Sequence, residues 1–172
     1  MNKILIHHHA IAFKDKNGIW IQSFIGRWII SLSKYFGEIG LLSHISNKKT
    51  PVQDTLIIED NVVLHSLGSA GKFKDRFARS RRIIEVCNSL RNEYDVLLIR
   101  GITPRQFNIW NSIKVKSSEK YFLLVCSIEN DIRFWQIRSF LNFYRYCMLI
   151  FRRNELRKML KSETCSLGIT SQ

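Results

Sequence analysis

Acidic residues are scarce in this chain: 14 Asp and Glu stand against 27 Lys and Arg, a formal net charge of +13 over 172 residues. So basic a chain predicts an acidic partner, whether nucleic acid, an anionic membrane face or a phosphorylated ligand. Proline is rarer still, with two residues, and no Pro/Gly-rich linker or low-complexity tract divides the sequence, so one domain over residues 1–172 is expected. The four cysteines, Cys87, Cys126, Cys147 and Cys165, form no CxxC and no Cys/His pair at metal spacing. That argues against a zinc or dithiol motif and predicts buried, reduced thiols in a cytoplasmic protein.

Long apolar runs are missing as well. Lys3 is followed by three apolar residues before the histidines, too few for a secretory signal. The most apolar later stretch, FWQIRSFLNFYRYCMLIF at 134–151, is interrupted by Arg138 and Arg145. Each arginine costs roughly 2.5 to 3.5 kcal/mol at a bilayer centre, so this stretch is not expected to span a membrane. No GxGxxG follows the first apolar run, the GSAG at 68–71 lacks the Walker lysine, and neither GxSxG nor HExxH occurs. A nicotinamide or P-loop enzyme is therefore not expected, and no cofactor is assigned.

What is present is an alternation of short apolar runs and helical patterns. KILI at 3–6 reads as a strand covered on both faces, and the AIAFKDKNG that follows reads as a polar loop. Ile25, Trp28, Ile29, Leu32 and Phe36 recur at steps of three or four, one face of a helix. EIGLLSHI at 38–45 reads as the second strand, 46–55 as a loop, and TLIIED with NVVLHSL as a strand pair or a strand with its approach. Lys72 to Arg91 carries a helical stripe (Phe73, Phe77, Ile84, Cys87, Leu90). YDVLLIRG is a strand, and TPRQFNIWNSI a helix with Thr103 as N-cap and Pro104 at its first position. YFLLVCS is a strand, 131–161 a long helical stretch, and CSLGITS a last strand. Strands separated by helices imply parallel crossovers, hence a Rossmann-like, doubly wound, mostly parallel α/β sheet with helices on both faces.

Open parallel sheets bind ligands outside the carboxyl ends of their strands. The residues to inspect are then His7 to His9 with the loop to Gly18, Ser43 to Ser46, His65 to Gly71, Arg100 to Thr103 and Ser127 to Asn130. Three consecutive histidines in extended chain cannot converge on one metal ion, since successive side chains point to opposite faces; at best His7 and His9 share a face. No metal site is expected. Trp28, Phe36, Phe73, Phe77 and Trp110 read as core, and His44 and His65 as satisfied histidines at strand ends. Arg100, directly after a buried run and before Gly101, is an unusual choice for plain structure.

The short first strand, the glycine-containing loop, WIQSFIGRWIISLSKYF, EIGLLS and YDVLLIRG together resemble the N-terminal domain of GT-B glycosyltransferases, especially the large retaining family four. The tail FRRNELRKMLKSETCSLGITSQ is similar to the family's helix-then-strand stretch, with Arg153, Glu155 and Ser171 in the corresponding places. The resemblance implies an acceptor-binding half acting in surface polysaccharide or glycolipid synthesis. The nucleotide sugar would be held by a second domain with a paired-glutamate motif that this chain lacks, supplied by another polypeptide or lost, and the chain alone would be inactive. It further implies that His8, His9, Lys14, Asn17 and Gly18 face the acceptor cleft, bordered by Arg100, with a lipid-linked or saccharide acceptor as partner. Where several relatives carry a histidine this chain has Arg100, so no catalytic residue is carried over.

Aromatic and basic residues interleave in RFWQIRSFLNFYRYCMLIFRR, which suits an interfacial helix on anionic lipid with Arg138, Phe143, Arg145, Arg152 and Arg153 as contacts. The expected location is the cytoplasm, on the inner face of the membrane. A basic membrane-peripheral scaffold subunit and a nucleic-acid-binding protein are the alternatives. No recognition-helix, zinc or RNP-type motif supports the latter, and no nucleic acid partner is expected.

Overall fold

The structure, a computed structural model, describes residues 2–70, 75–100, 106–116, 119–124 and 165–169 and scattered positions between 139 and 161. For 75–80, 100, 106–107, 119, 122–124 and 165–169 the description stops at the backbone. In chain order the elements are β1 (Lys3–His8), β2 (Phe13–Asp15), β3 (Gly18–Ile21), α1 (Ser23–Ser33), β4 (Glu38–Ile45), β5 (Thr55–Ile57), β6 (Val62–Ser69), α2 (Asp75–Ser89), β7 (Val96–Arg100), α3 (Gln106–Ser112), β8 (Glu119–Leu124) and β9 (Cys165–Ile169).

Six strands make the main sheet in the order β6-β4-β1-β7-β8-β9, and every pairing in it is parallel. Numbered among themselves along the chain, they run 3-2-1-4-5-6, the order of Rossmann sheets, so the direction of winding reverses between β1 and β7. Side-chain alternation assigns the two faces. Ile4, Ile6, Ile39, Leu41 and Val62 join Ile25 and Ile29 of α1 on one face; Leu5, Leu42, Leu67, Leu97 and Ile99 join Ile83, Cys87, Ile109 and Trp110 of α2 and α3 on the other. β1 and β4 are covered on both faces, which is why they read as continuous apolar runs.

The mostly parallel α/β architecture expected from the sequence is present, and EIGLLSHI forms a strand over its expected bounds. Two expectations change. The segment 10–18 read as a polar loop after β1 carries β2 and the turn into β3, a hairpin whose β3 pairs antiparallel with β5 in a separate three-stranded sheet. Of the two runs read as a strand pair or a strand with its approach, both are strands but they do not pair: β5 belongs to the small sheet and β6 to the large one. The small sheet is stable because Ile19, Ile21 and Ile57 point one way into the α1 core. Its outer face carries Trp20, with Lys49 Nζ 3.0 Å above the ring centroid and its indole N–H donating to Asp15 Oδ2 at 3.1 Å.

Trp28 and Phe36 are half-buried against the α1 core and Trp110 is buried, as expected. Of the cysteines, Cys87 is buried, its thiol pushed up to about 12 by desolvation, whereas Cys147 is exposed rather than packed. The expected N-cap Thr103 and Pro104, Gly101, the side chains of Phe73 and Phe77, and most of the helical stretch 131–161 lie outside the described residues.

Candidate functional site

The reversal between β1 and β7 brings the carboxyl ends of these strands side by side: His7 is level with Ile99 and with Leu42 of β4, and His8 with Arg100. Alternation then separates the first two histidines. His7 shares the face of Leu5 and is buried, its Nδ1–H donating to the Leu42 carbonyl at 3.1 Å. Burial drives its pKa down to about 4, the Leu42 bond opposing only in part, so the ring is neutral and structural.

His8 shares the face of Ile4 and Ile6 and is also buried. Its Nδ1 accepts the backbone N–H of Ala10 at 2.9 Å, which puts the proton of the neutral ring on Nε2 and fixes that nitrogen as a donor. Phe24, in the first turn of α1, meets the His8 ring edge-on at 5.7 Å between centroids. Beyond it the strand has ended, so strict alternation no longer holds. His9, exposed, folds over and stacks on His8 at 4.3 Å with the planes 28° apart. The pair that shares a surface is therefore His8 and His9, not His7 and His9.

The loop carrying these rings is held by buried polar side chains. Ser43 donates its hydroxyl to the Ala10 carbonyl at 2.5 Å, and Ala12 exchanges backbone bonds with His44 and Ser46 at 2.8 and 2.9 Å. Gln53, 1% exposed, donates to the Ile11 carbonyl at 3.0 Å and to Ser46 Oγ at 2.9 Å, while its oxygen accepts the Thr50 N–H at 2.8 Å. Ser43 stood among the residues after the second strand, but neither Gln53 nor Phe24 carried a sequence signal. Gln53 lies in a polar loop, and Phe24 fits an amphipathic helix equally well as a surface position.

The hairpin residues go elsewhere. Ile21 is level with Thr55, against which the start of α1 packs at Gly26, whereas Gly18 lies at the other end of β3, beside Ile57. Asn17 and Gly18 thus occupy the end of the small sheet away from the α1 start, roughly 10 Å along the strand from Ile21 at ~3.3 Å per residue, while Lys14, level with Ile19, lies about 7 Å along it. Their chemistry is local. The Asn17 N–H and the Trp20 indole hold the Asp15 carboxylate below its usual range. Gly18 has φ +142° and no room for a Cβ against the Ile57 carbonyl. The structure brings together His8, His9 and the backbone of Arg100, and sets Asn17 and Gly18 at the far end of the small sheet, with Lys14 level with Ile19 between. The Arg100 side chain lies outside the described residues, as do Arg138, Arg145, Arg152 and Arg153; Phe143 is exposed.

His44 donates from Nδ1 to the Gly68 carbonyl at 3.3 Å at the strand ends. His65 sits within β6 instead, in a chain running toward the amino ends of β4 and β1. Its Nε2 is 2.6 Å from the Tyr94 hydroxyl, which donates to Glu38 Oε1 at 2.8 Å, and Lys3 Nζ donates to Glu38 Oε2 at 2.7 Å. Since the tyrosine proton goes to Glu38, His65 Nε2 is the donor to the tyrosine oxygen. Lys3, then burial opposing it, then Tyr94 set the Glu38 carboxyl, with a net shift downward.

Among the described residues no group of three His, Cys, Asp or Glu side chains is placed to hold a metal ion, and no helix is long and apolar enough to cross a membrane. Compared with known proteins, the chain matches no family model, no curated protein and no solved structure.

Proposed function

We propose that this domain is the acceptor-binding half of a retaining glycosyltransferase for surface polysaccharide or glycolipid synthesis, acting with a separate nucleotide-sugar-binding domain. The acceptor, a lipid-linked or plain saccharide, sits over the carboxyl ends of β1 and β7. One observation carries the reading: an exposed imidazole, His9, stacked on a buried and oriented one, His8, at the position where the parallel sheet reverses.

The chemistry fits that task. A sugar or phosphate acceptor needs hydrogen-bond donors and acceptors held in place before it arrives, because preorganised dipoles do most of the electrostatic work of transfer. His8 offers an Nε2–H of fixed orientation, and His9 presents its ring to the ligand side. Ser43 and Gln53 supply the rigidity from behind by holding the carbonyls of Ala10 and Ile11.

The test is an NMR titration of the full chain with a phosphorylated isoprenoid and with short oligosaccharides, read at the backbone amides and imidazoles. Shifts centred on His8, His9 and Ala10 are expected. Shifts confined to other surfaces, or none at millimolar ligand, would contradict the proposal. The chain alone should give no sugar transfer from any nucleotide sugar, and sustained turnover would contradict the need for a second domain.

A further inference from the structure

Three large apolar side chains stand out into solvent around the ligand end of the sheet: Ile11 at 42% exposure, Phe24 at 45% and Val52 at 66%. All three sit on the framework behind that end: Val52 precedes Gln53, whose amide donates to the Ile11 carbonyl, and Phe24, in the first turn of α1, meets the His8 ring, whose Nδ1 holds the Ala10 amide next to Ile11. None is on a loose segment. Thr50 to Gln53 is a closed turn, the Ile11 carbonyl is held by a buried amide, and Phe24 is followed by the fully buried Ile25. Rigid backbone that holds apolar side chains outward is the reverse of what burial favours.

Cations flank them. Arg27 lies one helical turn from Phe24 on the same side of α1, and Lys48 and Lys49 precede the Thr50 turn; Arg27, Lys48 and Lys49 are exposed, while Asp54 is the acidic side chain in the same stretch. Apolar tips spaced by polar residues, backed by cations and by a chain of net charge +13, match the headgroup layer of an anionic bilayer. We infer that Ile11, Phe24 and Val52 insert into an anionic membrane surface, with Arg27 and Lys48 at the lipid phosphates, so that the His8–His9 end of the sheet opens at the headgroups. This deepens the acceptor reading by naming the face that meets the membrane, and rests on that reading only for what the histidines bind.

The test is sedimentation of the full chain with vesicles of phosphatidylcholine alone or mixed equally with phosphatidylglycerol. Binding to the mixed vesicles and little to the neutral ones is expected. The combined Ile11→Ser, Phe24→Ser, Val52→Ser variant, its fold checked by circular dichroism, should bind at least about tenfold more weakly. Arg27→Glu with Lys48→Glu should lose about tenfold at low salt. Tyr35→Ser, 75% exposed but just past the far end of α1, should change nothing. Undiminished binding of the triple variant, an equal loss with Tyr35→Ser, or no binding of the native chain would overturn the inference. A native dimer that the triple variant dissolves, without vesicle binding, would assign the face to a second copy. His9→Ala should weaken the crevice ligand and leave vesicle binding intact, so the two readings fail separately.

Discussion

Single side chains in this fold report on pH in a determinate way. His7 has a folded-state pKa of about 4 against an ordinary 6.5, so the unfolded chain binds the extra proton between those values and stability falls as pH drops through that window. At roughly 1.4 kcal/mol per unit, complete loss is about 3 kcal/mol. His65, lowered chiefly by burial, adds in the same direction. Glu38 acts lower: its depressed carboxyl contributes stability above the ordinary glutamate range, and that contribution disappears as pH falls below it. Urea unfolding at stepped pH should show this slope, and His7→Asn, which keeps a donor for the Leu42 carbonyl, should flatten it between pH 6.5 and 4. Tyr94→Phe removes the hydroxyl between His65 and Glu38 and should cost about 1–3 kcal/mol at neutral pH by the same measurement. Thiol titration should find Cys147 reactive and Cys87 protected in the native state.

Elements were legible in proportion to how much of their sequence the core dictates. β4 packs residues on both faces, and its apolar run carries its own bounds. The hairpin was not read because Lys14, Asp15 and Lys16 make its first half look like solvent-exposed loop, and only one face of β3, Ile19 and Ile21, is buried. The signal was the Ile19/Ile21 alternation beside the Asn17-Gly18 pair, a turn signature with a strand on its far side. At β4 the constraint is Gly40, where a Cβ would lie 2.5–2.7 Å from the Tyr94 ring, its hydroxyl and Leu5. Gly40→Ala should therefore destabilise by about 1–3 kcal/mol in a thermal or urea melt, although alanine is ordinarily tolerated in a strand. The loop after β1 depends on Ser43 and Gln53. Replacing either by alanine should speed hydrogen exchange at Ala12, and more for Ser43, which is wholly buried.

At the scale of the whole molecule, strand order is what turns a set of polar strand ends into a site. The sequence supplied five candidate clusters at strand ends and no means to choose among them, because neighbours across a parallel sheet are not neighbours in the chain. The 3-2-1-4-5-6 order selects the ends of β1 and β7 and leaves His65, level with His7 but two strands away, turned into a hydrogen-bonded chain that leads back to Lys3. The separate small sheet also divides residues that sequence proximity had grouped, carrying Asn17 and Gly18 to the end away from the start of α1.

That separation provides the most direct test of the account. Equilibrium binding of a phosphorylated isoprenoid or oligosaccharide acceptor should be measured for the native chain, His9→Ala and Asn17→Ala, both substitutions at exposed positions that leave the core untouched. A loss of about tenfold or more is expected for His9→Ala and no change beyond about twofold for Asn17→Ala. Equal affinity for His9→Ala and the native chain, or a larger loss from Asn17→Ala, would contradict the placing of the acceptor over His8 and His9.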